Sequence, residues 1–193
     1  MQKVKLIVLI CSVAALVGLF CTSVVSVNLK FPQNIRIIYE QEDEFTSQNA
    51  QFKIIDASFL DENTIREDEG LVKTIDEYSD FLDDGQLNLA IVRLQINNNS
   101  KKTINLDLTS FHLESGSFSS QFFYPISLYY SDCGMYLTLK PQEMKEITVG
   151  VPISSVHFLD YNSNEIKKRN FYIVSSLYPR KTMVKLNFDN KNW

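Results

Sequence analysis

The residues best suited to recognition chemistry are aromatic and lie close together in the second half of the chain. Seven phenylalanine and tyrosine residues fall between positions 118 and 136, with serines among them. Tyrosine combines a large apolar ring with a hydroxyl, which suits binding to a partner. Alternatively, the phenylalanines fill the core and the tyrosines cover its rim. The binding candidates are Tyr124, Tyr129, Tyr130 and Tyr136. Residues 126–134 show no regular period, which predicts a loop.

Three aspartates at a second position form the other binding candidate. Asp80, Asp83 and Asp84 precede a glycine, and their carboxylates are the kind of ligand that calcium prefers. The spacing is not that of an EF-hand loop, because the twelfth position from Asp80 is Ile91 instead of glutamate. A solvated acidic surface is the alternative. We therefore predict no resident metal and no cofactor.

Catalytic or copper chemistry would have to use Cys133 together with His112 or His157. A reactive thiol needs a positive setting, and Asp132 beside Cys133 opposes the thiolate. Blue-copper sites combine two histidines, a cysteine and a weak methionine, usually in one short loop, whereas His157 lies far along the chain from Cys133. The residues therefore predict a protein that is not an enzyme and has no catalytic residues.

The first part of the chain has the composition of a membrane anchor. Residues 6–27 form an uncharged run of 22 residues, long enough to cross a bilayer. Lys3 and Lys5 precede the run, which by the positive-inside rule places the N-terminus in the cytoplasm. We predict an uncleaved signal-anchor of a single-pass cell-membrane protein, with an extracytoplasmic C-terminal domain. A signal peptide cleaved before Val27 and a lipoprotein signal are the alternatives.

The length of 193 residues suits one domain and a segment outside it. The predicted organisation is a cytoplasmic start at 1–5, the transmembrane segment 6–27, a membrane-proximal segment 28–49 and one domain over 50–193. That domain carries an acidic insert at 61–86. A formal charge of −4 without a broad basic patch disfavours a nucleic-acid partner.

The apolar residues of the domain recur mostly at every second position, which predicts half-buried strands. The parity changes between Leu108 and Phe111, which predicts a bend. A short helix or ordered loop is predicted over residues 64–82. Seven or eight strands without a βαβ rhythm predict an all-β, antiparallel sandwich, with a closed barrel as the alternative. The strand candidates are residues 52–60, 89–97, 104–113, 147–153, 171–178 and 182–188, the last two as a closing hairpin around residues 179–181.

Two stretches resemble a known group of proteins. Residues 89–104 comprise an apolar strand, an Asn-rich turn and a second strand, and Leu139-Lys140-Pro141-Gln142-Glu143 follows later. This succession resembles the immunoglobulin-like, telokin-like extracytoplasmic domains of Gram-positive (Firmicutes) bacteria, most of them of unknown function. The resemblance implies an Ig-like β-sandwich behind a membrane anchor and implies no catalytic motif. The chain departs from the pattern at Gln142, where glycine is usual.

Two kinds of function fit these observations. The first is a non-enzymatic interaction module that binds an envelope protein or a cell-wall component through the tyrosine-rich segment, the acidic insert or both. The second is a sensor or accessory subunit of a membrane complex. Such a subunit would associate through its transmembrane helix, where Ala14, Ala15 and Gly18 permit close helix contact.

Overall fold

A computed structural model describes residues 2–30, 35–79, 87–154, 158, 163–177 and 180–188. The chain divides into two units, residues 1–35 and residues 36–193. The helices are α1 Gln2–Lys30, α2 Glu62–Glu67, α3 Glu69–Tyr78, α4 Tyr124–Ser131 and α5 Ser163–Lys167. The strands are β1 Ile35–Tyr39, β2 Glu44–Ser47, β3 Ala50–Leu60, β4 Leu87–Asn97, β5 Ile104–Asp107, β6 His112–Ser115, β7 Phe118–Gln121, β8 Tyr136–Leu139, β9 Met144–Ser154, β10 Phe171–Ser176 and β11 Arg180–Leu186.

Helix α1 contains the apolar run of residues 6–27. The run has no proline, and leucine and alanine are good helix formers, so one continuous helix of 29 residues is expected there. Counting the part of the chain that the structure describes, no helix has both the length and the apolar character that a membrane crossing needs. Insertion of residues 6–27 into a membrane stays a prediction.

The second unit is a β-sandwich. One large sheet has the strand order β1-β11-β10-β6-β7, the other has the order β2-β3-β4-β9, and β5 pairs with β8 in a small third sheet. Side chains from both large sheets meet in one hydrophobic core. The described residues contain eleven strands, more than the seven or eight predicted, because several strands are only four residues long.

The alternating pattern of β4 is confirmed on the core side. The buried set that faces the other sheet is Ala90, Val92, Leu94 and Ile96. The opposite face is not left to solvent in the first half of the strand. Leu87, Leu89 and Ile91 on that face are also buried, in a second hydrophobic cluster. The strand is therefore covered on both faces at one end and on one face at the other.

The predicted bend after β5 is confirmed. A short 3₁₀ helix, Leu108–Ser110, follows β5 and leads the chain into β6 of the five-stranded sheet. Asp107 caps this turn by accepting a hydrogen bond from the backbone N–H of Thr109 at 2.9 Å. The turn lets Leu108 and Phe111 both enter the core although their positions in the sequence differ in parity.

The sandwich begins earlier in the chain than the predicted boundary at residue 50. Strands β1 and β2 lie within residues 35–47, and each belongs to one of the large sheets. Phe45 of β2 is buried and stacks on Phe52 of β3, with ring centroids 5.6 Å apart. Residues 35–39 and 44–47 of the predicted 28–49 segment therefore belong to the sandwich.

The Asn-rich turn after β4 is organised by Asn98, which is fully buried. Its side-chain N–H groups donate to the carbonyls of Lys102, Leu139 and Lys140 at 2.8, 3.1 and 2.8 Å. Its side-chain oxygen accepts two hydrogen bonds from Ser100, from the backbone N–H at 3.1 Å and the hydroxyl at 2.7 Å. One amide thus joins the β4–β5 turn to the β8–β9 turn.

Gln142, where the resembling domains usually have glycine, adopts the backbone conformation that glycine favours. Its φ is 61°, in the left-handed region. Its side-chain N–H group donates to the carbonyls of Asn99 and Ser100 at 3.0 and 3.2 Å. These contacts offset part of the conformational cost, so the turn forms without glycine.

Candidate functional site

The acidic insert forms two helices, α2 and α3, which cover the outer face of the four-stranded sheet. Asp61 begins α2 by accepting from the backbone N–H of Thr64 at 3.1 Å, and Asp68 begins α3 by accepting from that of Leu71 at 3.0 Å. Both are N-cap contacts of the kind that aspartate favours. The hydrogen bond from Thr64 lowers the pKa of Asp61, against an opposing effect of burial. The two acidic caps therefore explain where the helices begin.

The helices of the insert bury an apolar face against the sheet. Together with the outer face of β4 and with α4 they form a second hydrophobic core. The sequence predicts a short helix or an ordered loop here, and the structure has two helices whose outer side is charged. The second core consists of Leu60, Ile65, Leu71, Ile75, Leu87, Leu89, Ile91 and Ile126, with Val72, Phe123 and Tyr130 packed against it.

The predicted loop over residues 126–134 is wrong for residues 126–131, because residues 124–131 form helix α4. Pro125 stands in the first turn, where its missing N–H costs nothing, and Asp132 ends the helix with a left-handed φ of 45°. Apolar or aromatic residues lie all around this short helix. No amphipathic period is therefore visible in its sequence.

Helix α4 lies directly on β9, and Gly150 makes this possible. A Cβ atom at position 150 would lie 2.5 Å from Cγ2 of Ile126, much closer than real contacts allow. The carbonyl of Gly150 also accepts from the backbone N–H of Phe123 at 2.7 Å. At the other end of the helix, the Ser131 hydroxyl accepts from the backbone N–H of Thr148 at 2.5 Å. The helix is therefore fixed to the strand at both ends.

Helices α3 and α4 run antiparallel, and tyrosines join them at each end. The Tyr129 hydroxyl donates to the carboxylate of Asp68 at 2.8 Å, at the start of α3. Gly70 leaves room for this ring, because a Cβ there would lie 3.0 Å from the Tyr129 oxygen. At the end of α3, Tyr78 meets Tyr124 edge to face with ring centroids 6.4 Å apart.

The two adjacent tyrosines of α4 have different roles. The hydrogen bond to Asp68 raises the pKa of Tyr129, with smaller contributions from burial and from the charge of Asp68. Burial raises the pKa of Tyr130 to about 12, and its ring packs against the second core. Tyr130 therefore supports the helix, although its type and position made it a binding candidate.

Four other tyrosines are exposed on α3, on α4 and at the start of β8, and we call this set the tyrosine face: Tyr78, Tyr124, Tyr129 and Tyr136. Tyr78 is 50% exposed, Tyr124 42% and Tyr136 73%. A Cβ built on Gly134 would lie 3.9 Å from the Tyr124 ring, so this ring lies beside the turn that leads into Tyr136. Tyr78 was missed as a site residue because its helical spacing after Leu71 and Ile75 predicts burial.

The helices beside the tyrosine face carry a strong negative charge. Residues 61–79 hold seven acidic and two basic side chains, a net charge of −5. An open groove of about 820 Å³ lies on the far side of α3 from α4. It is lined by Arg66, Glu69, Val72, Lys73, Asp76 and Glu77. The two sides of α3 thus differ: one side contacts aromatic rings and the other presents alternating charges.

The remaining site candidates are placed as follows. Asp80, Asp83, Asp84 and His157 lie outside the described residues. Cys133 is buried, and its sulfur lies 3.5 Å from the Ser127 hydroxyl. Within the part of the chain that the structure describes, no three His, Cys, Asp or Glu side chains are grouped so that they could hold a metal ion.

His112 belongs to a cluster of charged groups on the five-stranded sheet. Its Nε2 lies 3.0 Å from Oε1 of Glu114, and the other carboxylate oxygen of Glu114 accepts from Nζ of Lys181. All three side chains are largely buried. Burial acts to raise the pKa of Glu114, but the hydrogen bonds from Lys181 and His112 outweigh it and hold this pKa below its ordinary value. The carboxylate is therefore more stable as an anion in the folded chain than in the unfolded chain.

We expect Glu114→Gln to lower the free energy of unfolding at pH 7 by about 1–3 kcal/mol, because the contact between Lys181 and the Glu114 carboxylate would be lost in a largely buried position. A lowered carboxylate pKa contributes stability above its unfolded value, and this contribution disappears as the pH falls through the folded pKa. The difference between wild type and variant should therefore shrink below about pH 4.5. Urea unfolding from pH 7 to pH 3 measures it. The exposed Glu146→Gln is the matched control, and an equal loss in both variants would contradict the account.

Comparison with known proteins adds only distant structural likeness. Neither a protein-family model nor a curated protein sequence matches the chain. Among solved structures, the yjhA protein of Bacillus subtilis is similar at 10% identity and a TM-score of 0.46, over 77% of this chain and 99% of that chain. A functionally unknown protein of Listeria monocytogenes is similar at 8% identity and a TM-score of 0.49, over 76% of this chain and 82% of that chain. An uncharacterized beta-sandwich protein of Clostridium difficile is similar at 10% identity and a TM-score of 0.43, over 80% of this chain and 98% of that chain.

Proposed function

We propose that this chain is a non-enzymatic interaction module that binds an envelope protein or a cell-wall component through the tyrosine face. The observation that supports the proposal is the way these aromatic rings are held. Tyr78 and Tyr124 are about half exposed, yet they stand on two helices fixed by a second hydrophobic core and by the contact between Tyr129 and Asp68. Rigid, exposed aromatic side chains lose little conformational entropy on binding.

We further propose that the sandwich is Ig-like. We also propose that residues 6–27 anchor the module in the cell membrane as an uncleaved signal-anchor, with residues 36–193 on the extracytoplasmic side. The support is the uncharged run of 22 residues and the two lysines before it. Retention of the full-length chain in membranes after alkaline carbonate extraction is the expected result. Release of the chain into the soluble fraction would contradict the anchor.

The binding proposal is tested by photo-crosslinking in cells. A benzophenone amino acid replaces Tyr124 or Tyr136 in the tagged full-length chain, and the crosslinked species are identified by mass spectrometry. We expect one dominant envelope species at these positions. The change Tyr78→Ser should reduce the yield of crosslink from position 124 about tenfold, because exposed aromatic anchors often carry a large part of the binding energy.

Met144 offers the control position, because it is exposed on β9 but is not part of the tyrosine face. Equal crosslinking from position 144, or no crosslinked species from any position, would overturn the proposal. Replacing residues 6–27 with an unrelated transmembrane helix tests the accessory-subunit alternative, which requires loss of the partner. Deleting the insert is a poor test, because it would expose the outer face of β4 and unfold the second core.

A further inference from the structure

Strand β1 is the least protected edge of the two large sheets among the described strands. An edge strand presents unpaired backbone groups, which proteins usually protect with charges, polar side chains or a covering element. At the other edges, β2 and β7 expose polar side chains, and β9 is covered by α4. Strand β1 exposes Ile35 and Ile38, at 58% and 55%, and carries a single charge at the exposed Arg36.

The position of β1 in the chain limits its distance from the end of α1. Lys30 ends α1 and Ile35 begins β1, so five peptide steps separate them. A fully extended chain of that length spans at most about 17 Å. This limit follows from covalent geometry alone. If α1 is a membrane anchor, the start of β1 is therefore held close to the headgroup layer of the bilayer.

The chemistry of β1 suits that layer better than it suits water. The headgroup region accepts apolar side chains at its inner boundary and still supplies water and polar groups to unpaired backbone atoms. A cationic side chain near the surface is attracted by anionic lipid headgroups. Strand β1 combines these properties, because its five residues include two exposed isoleucines and, between them in the sequence, Arg36.

We infer that β1 docks on the surface of an anionic lipid bilayer through Ile38, Arg36 and Ile35, and so fixes the orientation of the sandwich on the membrane. This inference rests on the proposed membrane anchor. It assigns β1 to lipid contact and leaves the tyrosine face available for a partner. Ile38 and Arg36 share one face of the strand, and Ile35 reaches the surface from the strand end.

The test uses the full chain reconstituted in nanodiscs of three parts phosphatidylcholine to one part phosphatidylglycerol. A fluorescent maleimide is attached at Ile38→Cys in a background with Cys11→Ala and Cys21→Ala, since the buried Cys133 is protected from labelling in the folded protein. Met144→Cys is the matched control. We expect lipids with a nitroxide at the headgroup to quench the probe at position 38 at least about twofold more than the probe at position 144. Lipid quenching at 38 should also fall when phosphatidylglycerol is omitted.

Each other outcome overturns the inference in a distinguishable way. Equal lipid quenching at both positions shows that β1 does not touch the bilayer, while the anchor itself is still retained by carbonate extraction. Protection of the position 38 probe from aqueous iodide without lipid quenching shows that β1 is covered by protein. Failure of the chain to enter nanodiscs or to resist carbonate extraction refutes the anchor as well.

Discussion

Asn98→Ala is expected to lower the free energy of unfolding by about 3–5 kcal/mol, the range of substitutions that leave several buried polar groups unpaired. The wild-type amide donates to three carbonyls from two different turns and accepts twice from Ser100. Alanine removes all five contacts and leaves the carbonyls of Lys102, Leu139 and Lys140 without this donor. Urea or thermal unfolding of the purified chain measures the loss.

The neighbouring Asn99 provides the control for that experiment. It is exposed, and its side chain contacts Gln51 near the surface, so Asn99→Ala should cost about 0.5–1 kcal/mol. Asn98→Asp should be at least as damaging as Asn98→Ala at pH 7, because a carboxylate oxygen would face three carbonyl oxygens. A cost for Asn98→Ala within about 1 kcal/mol of that for Asn99→Ala would refute the role assigned to Asn98.

Gly150→Val is expected to cost about 3 kcal/mol and to displace α4, the helix that carries Tyr124 and Tyr129 of the tyrosine face. Already the first side-chain carbon would lie 2.5 Å from Ile126 and 3.1 Å from Ile91. Neither neighbour can move far, because both belong to the second core. Since α4 must then rise from β9, crosslinking through Tyr124 should fall together with stability.

A double-mutant cycle separates this overpacking from a general effect of losing glycine. In the Ile126→Ala background, space opens above position 150, so Gly150→Ala should cost less than it does in the wild type. A difference of about 1 kcal/mol or more between the two backgrounds is expected. Equal costs would show that backbone conformation, and not the contact with Ile126, determines the requirement for glycine.

The strands were predictable where burial is one-sided. Ala90, Val92, Leu94 and Ile96 alternate with residues that leave the core, so period two identifies β4 directly. The closing hairpin of β10 and β11 was predictable for the same reason and is confirmed by the antiparallel register of Ile173 with Val184. The bend before Phe111 was visible because it changes the parity of the core residues.

The candidate site was less predictable, because its support is non-local. Helix α4 packs on a strand and on another helix at once, and this removes the polar face that would have marked it as amphipathic. The helical period predicts that Tyr78 is buried, but its side chain is exposed. Tyr130 is a predicted binding residue, but its side chain is more deeply buried than that of Tyr78. Only the position of α3 beside α4 determines which of these rings reaches the surface.

The burial of Asn98 has a consequence for the choice of expression host. Asn98-Asn99-Ser100 is formally an acceptor triplet for N-linked glycosylation. In the folded chain every side-chain hydrogen of Asn98 is engaged, so no glycosyltransferase can reach it. In a eukaryotic secretory pathway, however, a sugar added before folding would sit where three carbonyls must converge. Such a host would yield a glycosylated fraction that cannot close these turns, whereas a bacterial host avoids this competition.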